Sequence, residues 1–252
     1  MRRLYPQTKG RKRLDTVYLD DALKVECLPG EGKRLVVVLS GIGHGFAGMQ
    51  HAEFAGTASD GGQNTVMFVA DRKRSWFSAD GLVPKIADVV GEALHHAGLN
   101  ACYTLGNSMG GYGAIRLTMD MPVKASLAFS PQFSMDRSVI NEARWDQYRP
   151  FIDLSRHLPL SRCISPDTTH YAVFGAGSPP EVRHRDLLPH APNLNCLMLP
   201  GAGHNIVVRL KETGHLKPLV LAMLNEDDGA IAQISARYAL DIATVLAAEK
   251  AG

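Results

Sequence analysis

The feature that most constrains the fold is the run RLVVVLSG at residues 34–41, whose centre is five consecutive apolar residues. A strand covered on only one face would alternate polar and apolar residues, whereas an unbroken apolar run is typical of a strand buried on both faces. Comparable runs recur along the chain: NTVMFVAD (64–71), NACYTLGN (100–107), KASLAFSP (124–131), THYAVFGA (169–176) and LNCLMLPG (194–201). The sequence therefore predicts a mostly parallel sheet.

Helical patterns separate these predicted strands. Residues 81–98 carry apolar side chains at helical spacing, and Gly98 supplies a stop signal. Further helices are predicted over residues 108–120, 180–189, 205–225 and 229–249. Strands that alternate with helices imply an α/β fold with helices on both faces of the sheet. The opening segment DTVYLDDALKVECL instead predicts two short strands that turn at Asp20–Asp21, which would form an antiparallel edge.

The length of 252 residues suits one α/β domain, which we place at residues 15–252. Residues 1–14 form a basic arm without acidic residues, which we interpret as a solvated terminal segment; contact with a polyanion or a membrane surface is the alternative. Residues 132–168 make a long connection between two strands. Such connections are often lids or binding insertions, so we predict a small cap there.

Composition argues against several classes of function. The net charge of +2 gives no reason to expect a nucleic-acid partner. The four cysteines are widely separated, and no clustered metal-ligand spacing appears, so neither a disulfide framework nor a metal site is expected. The N-terminus lacks the apolar region of a secretory signal, and no stretch approaches 18 uninterrupted apolar residues. We expect a cytoplasmic protein without a membrane span and without a metal or organic cofactor.

The stretch GNSMG at residues 106–110 matches the pattern G-x-S-x-G, between a predicted strand and a predicted helix. A sharp strand-to-helix turn lifts a nucleophilic serine clear of the sheet and requires small residues where Gly106 and Gly110 stand. The helix N-terminus would direct the Met109 N–H towards a developing oxyanion. The alternative is a turn in which Ser108 merely caps the helix.

A serine nucleophile needs a base and a second oxyanion donor. His204 follows a strand and a glycine-rich turn, from which it could reach over the strand ends, although it could also be an ordinary loop histidine. In SGIGHG (40–45) we predict the Ile42 N–H as the second donor, with Gly43 as the alternative. His44 in the same loop could contact substrate or be structural.

Together these motifs resemble the α/β-hydrolase fold superfamily over roughly residues 15–225. The motifs are SGIGHG, VADRKRSWFS, GNSMGGYGA and LPGAGH, and they occur in the order expected for a nucleophile, an acid and a histidine. The stretch SMGGYGA is also similar to the nucleophile turn of esterases of the S-formylglutathione hydrolase type. The resemblance implies an esterase-like serine hydrolase with a catalytic triad and an oxyanion hole.

The third member of the triad departs from the family pattern. The family usually places an aspartate shortly after the strand that here reads THYAVFG, but this chain continues GAGSPPE, with Ser178 near that point. We predict that Glu181 takes the role, with Asp186 and Asp136 as alternatives. Glu181 could instead be only an acidic residue favoured at a helix N-terminus.

The prediction is therefore a serine hydrolase that cleaves a small-molecule ester, or a thioester or amide, through an acyl-enzyme on Ser108. Aromatic residues could line its substrate pocket or simply pack in the core: Trp76, Phe77, Trp145 and Tyr148. Acyl transfer to an acceptor other than water would use the same residues. The departure at the acid leaves room for a non-catalytic binding protein.

A dinucleotide-binding protein is a further alternative, because residues 43–48 match G-x-G-x-x-G and Asp71 ends the next strand. The following segment, MQHAEFAGTASDGGQ, is a poor helix, since glycines interrupt it. This alternative would also leave Ser108 and His204 without a role, so we favour the hydrolase.

Overall fold

The computed structural model describes residues 14–43 and 54–251. Its strands are β1 (Asp15–Leu19), β2 (Leu23–Leu28), β3 (Arg34–Leu39), β4 (Thr65–Asp71), β5 (Ala101–Asn107), β6 (Ala125–Phe129), β7 (Thr169–Gly175) and β8 (Leu194–Leu199). Its α-helices are α1 (Ala55–Ala58), α2 (Leu82–His96), α3 (Met109–Arg116), α4 (Pro179–Asp186), α5 (Ile206–Glu212), α6 (Leu216–Leu224) and α7 (Asp228–Ala251). Short 3₁₀ helices lie at Asp60–Gly62, Leu117–Met119, Asp146–Phe151 and Leu160–Arg162.

The strands form one eight-stranded sheet in the order β1-β2-β4-β3-β5-β6-β7-β8. The pairs from β4 through β8 are parallel, whereas β1 and β2 pair with each other, and β2 with β4, in the antiparallel sense. In the centre, Val37 on β3 lies opposite Met67 on β4 and Thr104 on β5. The predicted parallel sheet with an antiparallel N-terminal edge is confirmed.

Helices cover both faces of this sheet, which explains why its strands lack a polar face. Alternate residues of β3 enter opposite cores: Val37 packs with α2 and α3, whereas Val36 and Val38 pack with α5, α6 and α7. All three valines are fully buried. Burying such a side chain contributes about 1.5–3 kcal/mol, so a polar residue on either face would be costly.

The predicted helix over residues 205–225 is wrong in one respect, because the structure divides it into α5 and α6. Gly214 between them has φ +75°, in the left-handed region that favours glycine. Its N–H donates to the Lys211 carbonyl and closes the first helix. The second helix, α6, begins two residues later at Leu216.

The C-terminal helix α7 bears on the prediction that the chain has no membrane span. Within the described residues, Asp228–Ala247 is long and apolar enough to cross a bilayer by length and composition. One side of this helix nevertheless packs on the core through Ile231, Tyr238 and Ile242.

Two predictions concern residues that the structure does not describe. The predicted basic arm falls almost wholly outside the described residues, and His44 falls entirely outside them.

Candidate active site

Ser108 occupies the sharp turn between β5 and α3. Its backbone has φ 58° and ψ −122°, a conformation that costs free energy in any residue with a side chain. Two hydrogen bonds hold the turn: the Ser108 N–H donates to the Phe129 carbonyl at 2.8 Å, and the Tyr112 N–H donates to the Ser108 carbonyl at 2.9 Å. The strained conformation is therefore fixed by β6 on one side and by α3 on the other.

The two glycines of the turn are required by close backbone approach. A Cβ atom on Gly106 would lie 2.2 Å from the Gly110 carbonyl oxygen, and one on Gly110 would lie 2.0 Å from the Leu39 carbonyl oxygen. Both distances are far below van der Waals contact. The first turn of α3 thus packs directly against the end of β3, as the sequence pattern predicts.

Three side chains from separate segments form one chain of hydrogen bonds. His204 Nε2 lies 2.9 Å from Ser108 Oγ, and His204 Nδ1 lies 3.0 Å from Glu181 Oε1. Because a carboxylate only accepts, His204 Nδ1 carries a proton and Nε2 is left to accept the serine hydroxyl proton. All three residues follow the carboxyl ends of parallel strands, which brings them to one edge of the sheet.

The electrostatics around Glu181 favour its ionised form. The side chain is fully buried, and Arg144 Nη2 donates to the same oxygen, Oε1, at 3.0 Å. Burial by itself would raise the pKa of Glu181, but the hydrogen bond and charge of His204, followed by those of Arg144, outweigh it and lower the pKa below its usual value. This carboxylate can therefore orient His204 and stabilise its protonated form.

The other two carboxylates considered from the sequence lie elsewhere. Asp186 ends α4, is exposed and pairs with Arg185 at 2.6 Å. Asp136 accepts hydrogen bonds from the Ser138 hydroxyl and N–H, which lower its pKa. Of the three candidates, only Glu181 is hydrogen-bonded to His204.

A second buried pair, Glu142 and His184, holds Arg144 in place. Arg144 Nε also donates to Glu142, whose other oxygen lies 2.6 Å from His184 Nε2. The Phe133 N–H donates to His184 Nδ1 at 3.0 Å, so that nitrogen is unprotonated and Nε2 carries the proton. Burial lowers the pKa of His184 to about 4. Glu142 and His184 thus hold Arg144 against Glu181.

The predicted oxyanion donors lie on the two segments that meet at this edge. Met109 is the first residue of α3, and Ile42 is a buried residue shortly after β3. The Ile42 carbonyl accepts from Arg74 Nε at 2.7 Å, which holds the loop that contains it. Gly43 next to it has φ +64°. The close approach of Gly110 to Leu39 brings the start of this loop against α3.

The four aromatic residues suggested for substrate binding form one cluster. Trp76 and Phe77 are buried in the core, and the Phe77 ring contacts Gly113 on α3. The ring of Trp76 lies 5.7 Å from Tyr148 and 6.5 Å from Trp145, measured between centroids. Trp145 is half-buried, and its ring centroid lies 5.0 Å from that of His204.

Sequence reasoning missed two residues that touch the triad, Gln132 and Arg144. Gln132 Nε2 donates to Ser108 Oγ at 2.9 Å, and Gln132 is 1% exposed. Its place just after β6, at the carboxyl edge of the sheet, was an available signal. Arg144 belongs to the long connection at 132–168, where no local pattern marks one arginine among several.

A cleft of about 1010 Å³ lies between α1, α5 and α6, and the side chains of Ser108, His204 and Glu181 do not line it. Asn107 and Asn205, the sequence neighbours of Ser108 and His204, lie on its wall, with apolar side chains that include Phe54, Val207 and Leu216. Among the described residues, no group of three or more His, Cys, Asp or Glu side chains is placed to hold a metal ion.

Solved structures with similar folds include several enzymes. A capsule O-acetyltransferase of Neisseria meningitidis serogroup A, in complex with CoA, is 12% identical over 81% of this chain and 95% of its own, with a TM-score of 0.56. An α/β serine hydrolase without a lid from Xanthomonas campestris is 15% identical over 84% and 95%, with a TM-score of 0.53. An α/β-hydrolase enzyme from a lagoon-sediment metagenome is 19% identical over 86% and 99%, with a TM-score of 0.50.

No family model matches the sequence, and no curated protein matches it significantly. At these low identities the structural likeness concerns the fold alone. The predicted α/β-hydrolase fold is confirmed.

Proposed function

We propose that this protein is a serine hydrolase that cleaves a carboxylic ester, or a thioester or amide, through an acyl-enzyme on Ser108. The observation that carries this proposal is the unbroken chain of hydrogen bonds from Glu181 through His204 to Ser108 Oγ. A serine at its ordinary pKa is a weak nucleophile, and an adjacent base oriented by a carboxylate is what activates it.

In the first half-reaction, Ser108 Oγ attacks the substrate carbonyl while its proton passes to His204 Nε2. The carbonyl oxygen becomes an oxyanion, for which we propose the backbone N–H groups of Ile42 and Met109 as donors. One such donor typically contributes about 2.7–4 kcal/mol to transition-state stabilisation. His204 then returns the proton to the leaving group, and the carbonyl carbon remains bonded to Ser108 Oγ.

In the second half-reaction, water attacks the acyl-enzyme and gives one proton to His204. Collapse of the tetrahedral intermediate releases the acid and returns the proton to Ser108 Oγ. Glu181 stays ionised in this scheme, because burial, which raises its pKa, is outweighed by the hydrogen bonds and charges of His204 and Arg144, which lower it. Trp145 and Tyr148 of the 132–168 cap are proposed to contact the substrate beside His204.

Acyl transfer to an alcohol or thiol acceptor is the second candidate. A capsule O-acetyltransferase with a similar fold favours it, and the same serine, histidine and glutamate would serve. A non-catalytic binding role rested on the departure at the acid position, and the hydrogen bond between Glu181 and His204 argues against that role.

Labelling with a fluorophosphonate probe tests the proposal. We expect wild-type protein to be labelled and Ser108→Ala not to be labelled. Ser126→Ala is the matched control, because Ser126 is also buried but lies within β6, and it should label like wild type. Absence of labelling in folded wild-type protein, or equal labelling of Ser108→Ala, would contradict the proposal.

Hydrolysis and transfer are then separated by product analysis. Wild-type protein is given a short-chain aryl ester with and without an added alcohol or thiol acceptor. Release of the free acid alone supports the hydrolase, whereas a new ester or thioester that depends on Ser108 supports the transferase.

A further inference from the structure

Ser108 Oγ has a second hydrogen-bond partner besides His204. Gln132 Nε2 lies 2.9 Å from it, on a side chain that is almost completely buried. Gln132 follows β6, whose last residue, Phe129, also accepts from the Ser108 N–H. The same segment therefore holds both the backbone and the side chain of Ser108.

The neighbour of Gln132 on its other side determines which way its amide points. Trp76 Nε1 lies 3.1 Å from Gln132 Oε1. An indole N–H can only donate, so the amide oxygen must face Trp76 and the amide NH₂ must face Ser108. Ser108 Oγ is therefore the acceptor in its contact with Gln132, and its own proton is free to point at His204 Nε2.

Trp76 is itself held by a tightly organised loop after β4. Asp71, which is fully buried, accepts hydrogen bonds from the Ser75 N–H and hydroxyl at 2.8 Å and from the Phe77 N–H at 3.1 Å. Trp76 and Phe77 have φ 51° and 58°, a conformation that non-glycine residues rarely adopt. Strain of this kind persists only where the surroundings enforce it, and it is concentrated at functional sites.

We propose that Gln132 positions the nucleophile: anchored by Trp76, it fixes the Ser108 side chain and directs the hydroxyl proton to His204. This inference rests on the proposed function of the site. The amide NH₂ also remains a donor to Oγ while the hydroxyl proton passes to His204. The gain is pre-organisation, because Ser108 need not lose rotamer freedom or change partners at the moment of reaction.

Two substitutions at Gln132 separate this role from a merely structural one. Gln132→Met keeps the size of the side chain but removes the donor to Ser108 and the acceptor for Trp76. Gln132→Glu keeps the acceptor for Trp76, and its ionised carboxylate would accept the Ser108 proton that His204 needs. A buried carboxylate is itself destabilising, so loss of stability alone does not separate the two roles. A purely structural role predicts that the labelling rate of folded protein falls only in step with stability. Positioning of Ser108 predicts a loss of labelling in Gln132→Glu that exceeds its loss of stability and depends on pH.

The measurements are the second-order rate of fluorophosphonate labelling and kcat/KM for a short-chain aryl ester between pH 6 and 9. We expect a loss of about tenfold for Gln132→Met at pH 8 and a greater loss for Gln132→Glu, about a hundredfold. The Gln132→Glu deficit should grow as pH rises, because burial at this position raises the pKa of the introduced carboxyl and a larger fraction of it is then ionised. Melting temperatures are recorded alongside. Thr168→Val serves as the stability control, because it removes the buried hydrogen bond from the Thr168 hydroxyl to the Val123 carbonyl, and Thr168 lies just before β7 and away from Ser108.

Trp76→Phe tests the anchor, since it removes the indole N–H but keeps an aromatic ring. Alone it should slow labelling by severalfold, and on the Gln132→Met background it should add little. Fully additive effects of Trp76→Phe and Gln132→Met would overturn the inference, as would Gln132 variants that label as fast as the wild-type protein. Neither result would contradict the proposed function, because the wild-type protein would still be labelled. Failure of wild-type protein to label would instead contradict the proposed function, so the two failures are distinguishable.

Discussion

The Glu181 carboxylate accepts a hydrogen bond from His204 Nδ1 at 3.0 Å from a position that is closed to solvent. Glu181 lies in the first turn of α4, six residues beyond the end of β7. The α/β-hydrolase pattern that the sequence resembles has an aspartate nearer the strand, and a glutamate has one more methylene. The longer side chain and the helical turn together carry the carboxylate to the imidazole.

Glu181→Gln should lower kcat by about 10³–10⁴, because an amide cannot hold the His204 tautomer or stabilise its protonated form. Asp186→Asn is the matched control on the same helix and should leave kcat unchanged, since Asp186 is exposed and pairs with Arg185. Steady-state kinetics with a short-chain aryl ester would measure both. If Asp186→Asn lowered kcat and Glu181→Gln did not, Asp186 would be the carboxylate that orients His204.

Arg144→Met should destabilise the protein at neutral pH by about 1–2 kcal/mol, a value that allows for solvent screening of the half-buried guanidinium. The pKa of Glu181 is lowered in the folded state, so its ionised form contributes stability above its usual pKa, and that stability is lost as pH falls. The deficit of Arg144→Met should therefore shrink below about pH 4.5.

Denaturant titrations at pH 7 and pH 4 would measure this difference. Arg137→Met is the control, because it removes an exposed ion pair with Asp146 and should cost little at either pH. A deficit for Arg144→Met that is the same at both pH values would show that packing, not charge, accounts for it.

His157→Gln should make the protein less sensitive to acid. The Met135 N–H donates to His157 Nε2 at 2.9 Å, and burial lowers the pKa of His157 to about 4 from 6.5. Between these values the unfolded chain binds the extra proton, so stability falls as pH decreases, by about 3 kcal/mol for one such residue.

Free energies of unfolding from pH 7 to pH 4 would test this. The slope should be shallower in His157→Gln, whose amide oxygen can still accept from Met135, and unchanged in the exposed control His95→Gln. Equal slopes in all three proteins would contradict the assignment of a neutral buried histidine.

Gly110→Ala should prevent formation of the nucleophile turn, because the added methyl group would lie 2.0 Å from the Leu39 carbonyl oxygen. We expect loss of fluorophosphonate labelling and a destabilisation above about 3 kcal/mol, or failure to fold. Gly91→Ala in α2 meets nothing within 4 Å and should stabilise the protein by about 0.5–1 kcal/mol. If Gly110→Ala melted at the wild-type temperature, the close approach of Gly110 to the Leu39 carbonyl would be wrong.

The sheet could be predicted from local patterns, because burial on both faces leaves its mark on every residue of a strand. The runs from RLVVVLSG to LNCLMLPG each became one strand, and DTVYLDDALKVECL became the antiparallel edge. The break between α5 and α6 was missed because residues 205–225 are apolar at helical spacing on both sides of Gly214. One glycine inside such a pattern can be tolerated or can end the helix, and only the packing of the two halves decides.

The sequence by itself determined the α/β fold and the sharp strand-to-helix turn that carries Ser108. Both depend on backbone and burial requirements that act within a few residues: apolar runs, and glycines where a Cβ atom does not fit. The tertiary structure decided which carboxylate pairs with His204 and which other side chains reach Ser108. Arg144 and Gln132 are 37 and 24 residues from their partners in the chain, and a long-range hydrogen bond leaves no periodicity in sequence. The Arg144 guanidinium and the Gln132 amide reach their partners only because the folded chain brings them to the carboxyl edge of the sheet. No local sequence pattern encodes that geometry.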